Sequence, residues 1–462
     1  MNQKVFVNRT LNLKQIKYIG LDMDHTLVRY NSHNFEQLAH KVVLQKLVAK
    51  KGYPKDILNL PFEFDKAIRG LVLDTKNGNL LKLNRYSGIR MSTHGTKPID
   101  FRTQKKIYKS KYIDLGNENY YAIDTIFSIS PALLFAQLVD LKDDKHNGVL
   151  PDYNQIANDI LACLDEAHRD GSIKDDVRKN IDPFIYKSKE TVENLERFKK
   201  HGKKIFIITN SDFDYSKFIL DSCVTPFLND HKHWSELFEF VITLAHKPKF
   251  FYEKHEFVNV DLDKGVLESI AKEIKPGVYQ GGCASIFTDA LDLSGDDILY
   301  IGDHIYGDIL RLKKDCNWRT GLIVDEIEQE IVNLRKSKPI DDEINKLMIS
   351  KEPLERELLK IQTEHDEGKE TSKEAAMKLQ DEIGIIDKKI SDLISKHQSF
   401  FNPHWGEIMR IGSEESYFAS QVERFACIYM AHLNDLLELS PRTYFRGFRR
   451  TLPHENDLIT QG

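Results

Sequence analysis

Four short apolar runs limit the fold most: Ile16–Leu21, Lys204–Ile208, Phe238–Leu244 and Asp297–Ile301. Their near-continuous apolar character is that of strands in a parallel sheet covered on both faces. Thr320–Val324 is a fifth candidate. Helical stretches lie between some of them, such as Tyr215–Ser222 and Val192–His201, where Val192, Leu195 and Phe198 share a face. This alternation predicts a doubly wound α/β domain, whose ligands collect at the carboxyl ends of the strands. Here each strand ends in polar residues: Asp22 and Asp24, then Thr209, Asn210 and Ser211, then His246 and Lys247, then Asp303 and Asp308.

The interval from Asp24 to Thr209 is far longer than one crossover needs. It must hold an inserted domain. Its content is helix-like at Phe35–Lys51, turn-rich at Leu73–Lys97, strongly apolar at Ala122–Val139 and helix-like at Tyr153–Asp170. Asp124, Ser128, Ser130 and Pro131 make the apolar stretch a buried strand or helix rather than a membrane span. Residues 325–398 are rich in Glu, Lys and Asp, with Leu347, Leu354, Leu358, Ile361, Leu379, Ile383, Ile386, Ile390 and Leu393 at heptad-like spacing. Gly368 would turn an antiparallel helical hairpin. The expected organisation is a catalytic core from 1–32 and 180–325, an inserted cap at 33–179, the charged hairpin at 326–400, and a helical segment at 401–462 on the core or at an oligomer interface.

Charge and cysteine usage exclude several classes. A net charge of −5 over 462 residues gives no nucleic-acid surface, and the basic cluster Arg446, Arg449, Arg450 is too short to supply one. Five cysteines without a CxxC pair read as reduced thiols without a structural zinc. The start, MNQKVFVNRT, lacks an apolar signal core. The expectation is a soluble cytoplasmic protein with no membrane or nucleic-acid partner.

The strand ends supply the parts of a phosphoryl-transfer site, where positioning and charge neutralisation dominate. Asp22 is the candidate nucleophile and Asp24 the candidate acid and base. Thr209 offers a hydroxyl to phosphate oxygens, and Lys247 a screening charge. Asp303 and Asp308, in GDHIYGD, would hold Mg²⁺ together with Asp22, in a metal set that includes Asp24. Alone, each motif is common turn or surface chemistry; their joint occurrence at successive strand ends is what points to Mg²⁺-dependent chemistry.

These elements resemble the haloacid dehalogenase superfamily, where they occur in this order. Asp24 stands where P-type ATPases carry threonine, which implies a phosphatase or phosphotransferase. GLDMDHTLVRY, IITNSDFDY, HKPKFF, DILYIGDHIYGDILRLKK and FASQVERFACIY are similar to the cytosolic purine 5′-nucleotidases that prefer inosine and guanosine monophosphates. That resemblance implies hydrolysis of purine nucleoside 5′-monophosphates, deoxy forms included, with possible transfer to nucleosides. It assigns substrate contacts to Asn210, Ser211, Phe127 (stacking on the purine), Asp165, His168 and Lys174. It implies a homotetramer and a nucleotide effector site at Tyr306, Lys314, Gln421 and Arg424. The chain departs from the family at Leu161 (arginine there), Asp124 (asparagine) and His25 (tyrosine), and 114–121 lacks an expected arginine. Two other readings are a phosphatase of another small metabolite, which would not need the Phe127 ring, and a non-catalytic assembly protein, which would have no use for intact acids at all four catalytic positions, Asp22, Asp24, Asp303 and Asp308.

Overall fold

A computed structural model describes residues 4–455 apart from 110, 111, 147, 263, 264, 266, 272 and 450. Arg450 of the basic cluster and the first three residues therefore lie outside the described residues. The apolar runs form the centre of a ten-stranded sheet. Tyr18–Leu21 lies between Ile298–Gly302 and Lys204–Ile208, and Phe240–Thr243 follows, all parallel. Every residue of Tyr18–Leu21, Phe240–Thr243 and Ile298–Gly302 is buried. Ile19, Leu21, Ile205, Ile207, Leu299 and Ile301 enter the core on one face. Tyr18, Phe206, Ile208, Phe240, Ile298 and Tyr300 enter the core on the other. Two covered faces are why these runs do not alternate polar with apolar. Gly20 has a packing role, because a Cβ there would lie 2.4 Å from the Phe206 ring and 2.7 Å from Tyr300.

Register aligns the strand ends. Leu21 pairs with both Ile207 and Ile301, and Ile208 pairs with Ile242. The residues that follow therefore emerge along one edge of the sheet.

The inserted segment differs in detail from expectation. Leu71–Asp74, Asn79–Leu83, Ile89–His94, Lys97–Pro98 and Tyr120–Ala122 make a five-stranded antiparallel sheet. The stretch read as turn-rich holds two of its strands whole and parts of two more, each too short to outweigh the turn residues between them. Helices Ser32–Lys51, Ile129–Asp144 and Tyr153–Arg169 pack on one another beside this sheet. The segment after 401 is not purely helical either. Ile428–Met430 joins the main sheet, parallel to Arg319–Ile323 and antiparallel to Val5–Val7. Three residues, two of them buried, are too few to leave a periodic signal.

Ile327–Asp366 and Lys373–Gln398 are long helices, with Gly368 in a left-handed turn between them. Ile390 is buried and the other predicted seam residues are half-buried, while Ile349, Leu359, Met377 and Ile385 on other faces are exposed. The first helix runs through Pro339 and Pro353. Among the described residues, no helix is long and apolar enough to cross a membrane.

Candidate active site

Asp22 leaves the Tyr18–Leu21 strand with its N–H donating to Ile301 O at 2.8 Å. Asp303 follows Ile298–Gly302, and Asp308 returns to it on the π-helical turn Ile305–Leu310. Gly302 permits that return: a Cβ there would lie 2.5 Å from the Asp308 side chain. One carboxylate oxygen from each of Asp22, Asp303 and Asp308 lies within 4.8 Å of the others, and all three residues are buried. Lys247 Nζ lies 2.8 Å from Asp22 and 2.7 Å from Asp308, and donates to Tyr300 OH at 3.0 Å.

This cluster is short of positive charge. Three carboxylates facing one ammonium leave two negative charges among buried groups. Burial, reinforced by Asp308, Asp303 and Asp24 against the opposing pull of Lys247, holds the Asp22 carboxyl well above its usual range. Burial and Asp308 push Asp303 up to about 6. Burial alone would lower Lys247, but Asp22 and Asp308 outweigh it and hold the ammonium charged. An all-oxygen donor set lacking two positive charges fits a hard divalent cation such as Mg²⁺.

Asp24 occupies a separate environment. Its Oδ1 accepts from Tyr30 OH at 2.6 Å and its Oδ2 from Ser211 Oγ at 2.9 Å. Its side chain is outside the carboxylate cluster, so the expected metal set reduces to Asp22, Asp303 and Asp308 at the level of side chains. Tyr30 OH in turn lies 3.0 Å from Tyr215 OH. Burial raises the Asp24 carboxyl, opposed by these hydroxyl donors and by Lys174 and Lys247.

Thr209 is buried beside the cluster, its Oγ1 accepting from Ser211 N–H at 3.0 Å. Asn210, expected on substrate, is engaged with the next strand end. Its Oδ1 accepts from Lys247 N–H at 2.6 Å and its Nδ2 donates to Lys247 O at 3.0 Å. Asn210 therefore holds the lysine backbone, which runs into a cis Lys247–Pro248 peptide.

Residues of the inserted segment meet His25 and Tyr30, which flank Asp24. Phe127 lies edge-on to His25 at 4.5 Å, to Phe35 at 5.4 Å and to His168 at 6.1 Å. His25 stacks on Tyr30 at 4.8 Å. Lys174 pairs with Asp212 and sits 4.8 Å above the Tyr215 ring. Burial, aided by Lys174, lowers His168 to about 4, so it is neutral. Asp165 is exposed, and Leu161 is half-buried on the same helix, Tyr153–Arg169.

The remaining expected residues lie at another place. Tyr306 OH is 3.2 Å from Tyr417 OH, and Tyr306 and Gln421 line a small gap of about 10 Å³. Lys314 and Arg424 lie 5.8 and 5.3 Å from the Phe425 ring. Sequence reasoning missed Tyr30, Tyr215, Tyr300, Arg69 and Thr125, whose partners are mostly far away in sequence.

A profile described as the 5′ nucleotidase family matches residues 5–457. A 5′-nucleotidase domain-containing protein of Dictyostelium discoideum is 27% identical over 466 residues, covering 99% of this chain and 75% of that protein. The 5′-nucleotidase domain-containing protein 2 of Rattus norvegicus is 26% identical over 469 residues, covering 98% of this chain and 80% of that one. A predicted phosphoglycolate phosphatase from Haemophilus somnus 129pt is a distant solved structure, at 14% identity and a TM-score of 0.28, covering 67% of this chain and 86% of that one.

Proposed function

The chain belongs to the 5′ nucleotidase family, and from that premise we propose that it is a phosphatase of the haloacid dehalogenase type that hydrolyses purine nucleoside 5′-monophosphates with Mg²⁺. The observation that carries the reading is the division between its two N-terminal acids. Asp22 lies in the carboxylate–lysine cluster, whereas Asp24 lies between two hydroxyl donors. Separate environments suit separate roles.

An Asp22 oxygen attacks phosphorus as the P–O5′ bond breaks, and Asp24 gives its proton to the leaving nucleoside oxygen. The raised Asp24 carboxyl suits that proton transfer. The product of this half is an acyl phosphate of Asp22, a mixed anhydride of its carboxyl group and phosphate. Asp24, now ionised, takes a proton from water as the water oxygen attacks phosphorus, releasing phosphate and Asp22. Lys247 screens the Asp22 carboxylate and the incoming phosphate, and Thr209 donates to a phosphate oxygen. Asp22, Asp303 and Asp308 would hold Mg²⁺, which neutralises phosphate charge and offsets the excess of carboxylates. A nucleoside hydroxyl that fits could replace water, giving phosphotransfer.

Phe127, His168 and Lys174 support a nucleotide over a bare sugar phosphate, because they offer an aromatic surface and a cation above Asp24. The inserted segment 33–179 would then act as the cap. We further place a nucleotide effector at Tyr306, Lys314, Gln421 and Arg424, and a homotetrameric assembly in the cytoplasm. The five free cysteines support a reducing compartment. Phosphate release from a panel of nucleoside monophosphates and sugar phosphates tests the substrate, and titrating purine nucleotides into the same assay tests the effector. Preferential release from inosine and guanosine monophosphates is expected; equal rates on sugar phosphates would refute the purine reading.

A further inference from the structure

The inserted segment reaches under the acidic loop that follows Ile298–Gly302. Two adjacent stretches do so as one unit, since Gly70 N–H donates to Ile123 O at 2.6 Å and Ile123 N–H to Leu71 O at 2.8 Å. Arg69, on the first, is 1% exposed, ion-paired with Glu326, and donates through Nη1 to Asp303 O at 3.1 Å. Asp124, on the second, accepts from Tyr306 N–H at 3.0 Å and lies 2.8 Å from His304 Nε2. Thr125 follows, 7% exposed, and its Oγ1 donates to Asp303 Oδ2 at 2.9 Å. Main chain and side chain of Asp303 are therefore both held from outside the catalytic core.

We propose that Thr125 is a positioning residue for the metal, its hydroxyl fixing the rotation of the Asp303 carboxylate within the Asp22–Asp303–Asp308 cluster. The inference rests on the proposed reading of that cluster as a divalent-cation site. A carboxylate can rotate about its Cβ–Cγ bond, and a hydrogen bond to one oxygen restricts where the other points. Such outer partners cost metal affinity about 10–100-fold when removed. Arg69 cannot do this, because it binds the Asp303 carbonyl and leaves the carboxylate free to turn. Thr125 also lies two residues before Phe127. The short stretch that carries the proposed stacking ring thus also orients a proposed ligand.

The test is calorimetric titration of Mg²⁺ into the full-length protein without substrate. Thr125→Val keeps the shape and loses the donor, and is expected to weaken binding at least about tenfold. Thr125→Ser keeps the donor and is expected to bind as the parent does. Thr125→Ala, which adds no bulk, replaces the valine variant if that does not fold. Parent-like binding by Thr125→Val or Thr125→Ala overturns the inference and leaves the metal reading intact, as does an equal loss in Thr125→Ser. A parent protein that takes up no Mg²⁺ overturns the metal reading itself, and the inference with it.

Discussion

Replacing Lys247 by methionine tests the charge arrangement of the site. The side chain is 4% exposed and its ammonium lies 2.8 Å from Asp22 and 2.7 Å from Asp308. At an effective dielectric constant near 20, each contact is worth about 6 kcal/mol before desolvation. Burying the ammonium offsets several kcal/mol of that. Methionine has a similar length and removes the charge, leaving three buried carboxylates without the ammonium that faces them, while Arg69 and His304 near Asp303 are already paired with Glu326 and Asp124. Breaking a buried pair by deleting one partner costs about 3–5 kcal/mol. The loss should be largest in EDTA and shrink when Mg²⁺ is added, because a dication supplies the missing charge to the same carboxylates. Urea unfolding of both proteins, with EDTA and with Mg²⁺, measures this. Activity should fall about 10²–10³-fold as well, the scale of losing one preorganised charge-stabilising group. Equal stability of variant and parent in EDTA would refute the electrostatic account. A variant destabilised equally with and without Mg²⁺ would refute the placement of the metal beside Lys247.

Three further outcomes are expected. Asp22→Asn should release no phosphate, and EDTA should stop the parent enzyme until Mg²⁺ is restored; measurable turnover by Asp22→Asn would reject the aspartyl-phosphate route. Tyr30→Phe removes the 2.6 Å hydrogen bond to Asp24; because bonds to charged groups contribute about 1.5–3 kcal/mol, kcat should fall about tenfold to a hundredfold with little change in KM, and an unchanged kcat would show that Tyr30 does not support Asp24. Burial lowers His25 to about 3, helped by Arg69 and opposed by Asp325, so the unfolded chain binds a proton below about pH 6.5 that the folded chain refuses. His25 thus contributes stability above that pH that is lost as pH falls, at up to about 1.4 kcal/mol per pH unit. His25→Phe should gain on the parent in urea unfolding between pH 6.5 and 4, and a constant difference across that range would contradict the buried neutral imidazole.

What could be read from the chain was local. A strand covered on both faces needs a run of apolar residues, and the residue after the run must leave the sheet at its edge. Asp22, Thr209, Lys247, Asp303 and Asp308 were therefore legible as strand ends, and parallel register then places those ends side by side. The hairpin was legible for the same reason, since one repeat along one helix predicts its seam. What only the tertiary structure decided was pairing between distant segments. Asp24 rests on Tyr30 and Ser211 rather than among Asp22, Asp303 and Asp308, Asn210 holds the Lys247 backbone, and Thr125 reaches Asp303 across 178 positions. Ile428–Met430 completes the sheet with three residues. A hydroxyl or amide carries no periodicity, and its partner is set by how the layers pack. The sequence placed Asp22 and Asp24 together at one strand end; which of the two carboxylates faces the cluster, and which faces the tyrosine, depended on the fold.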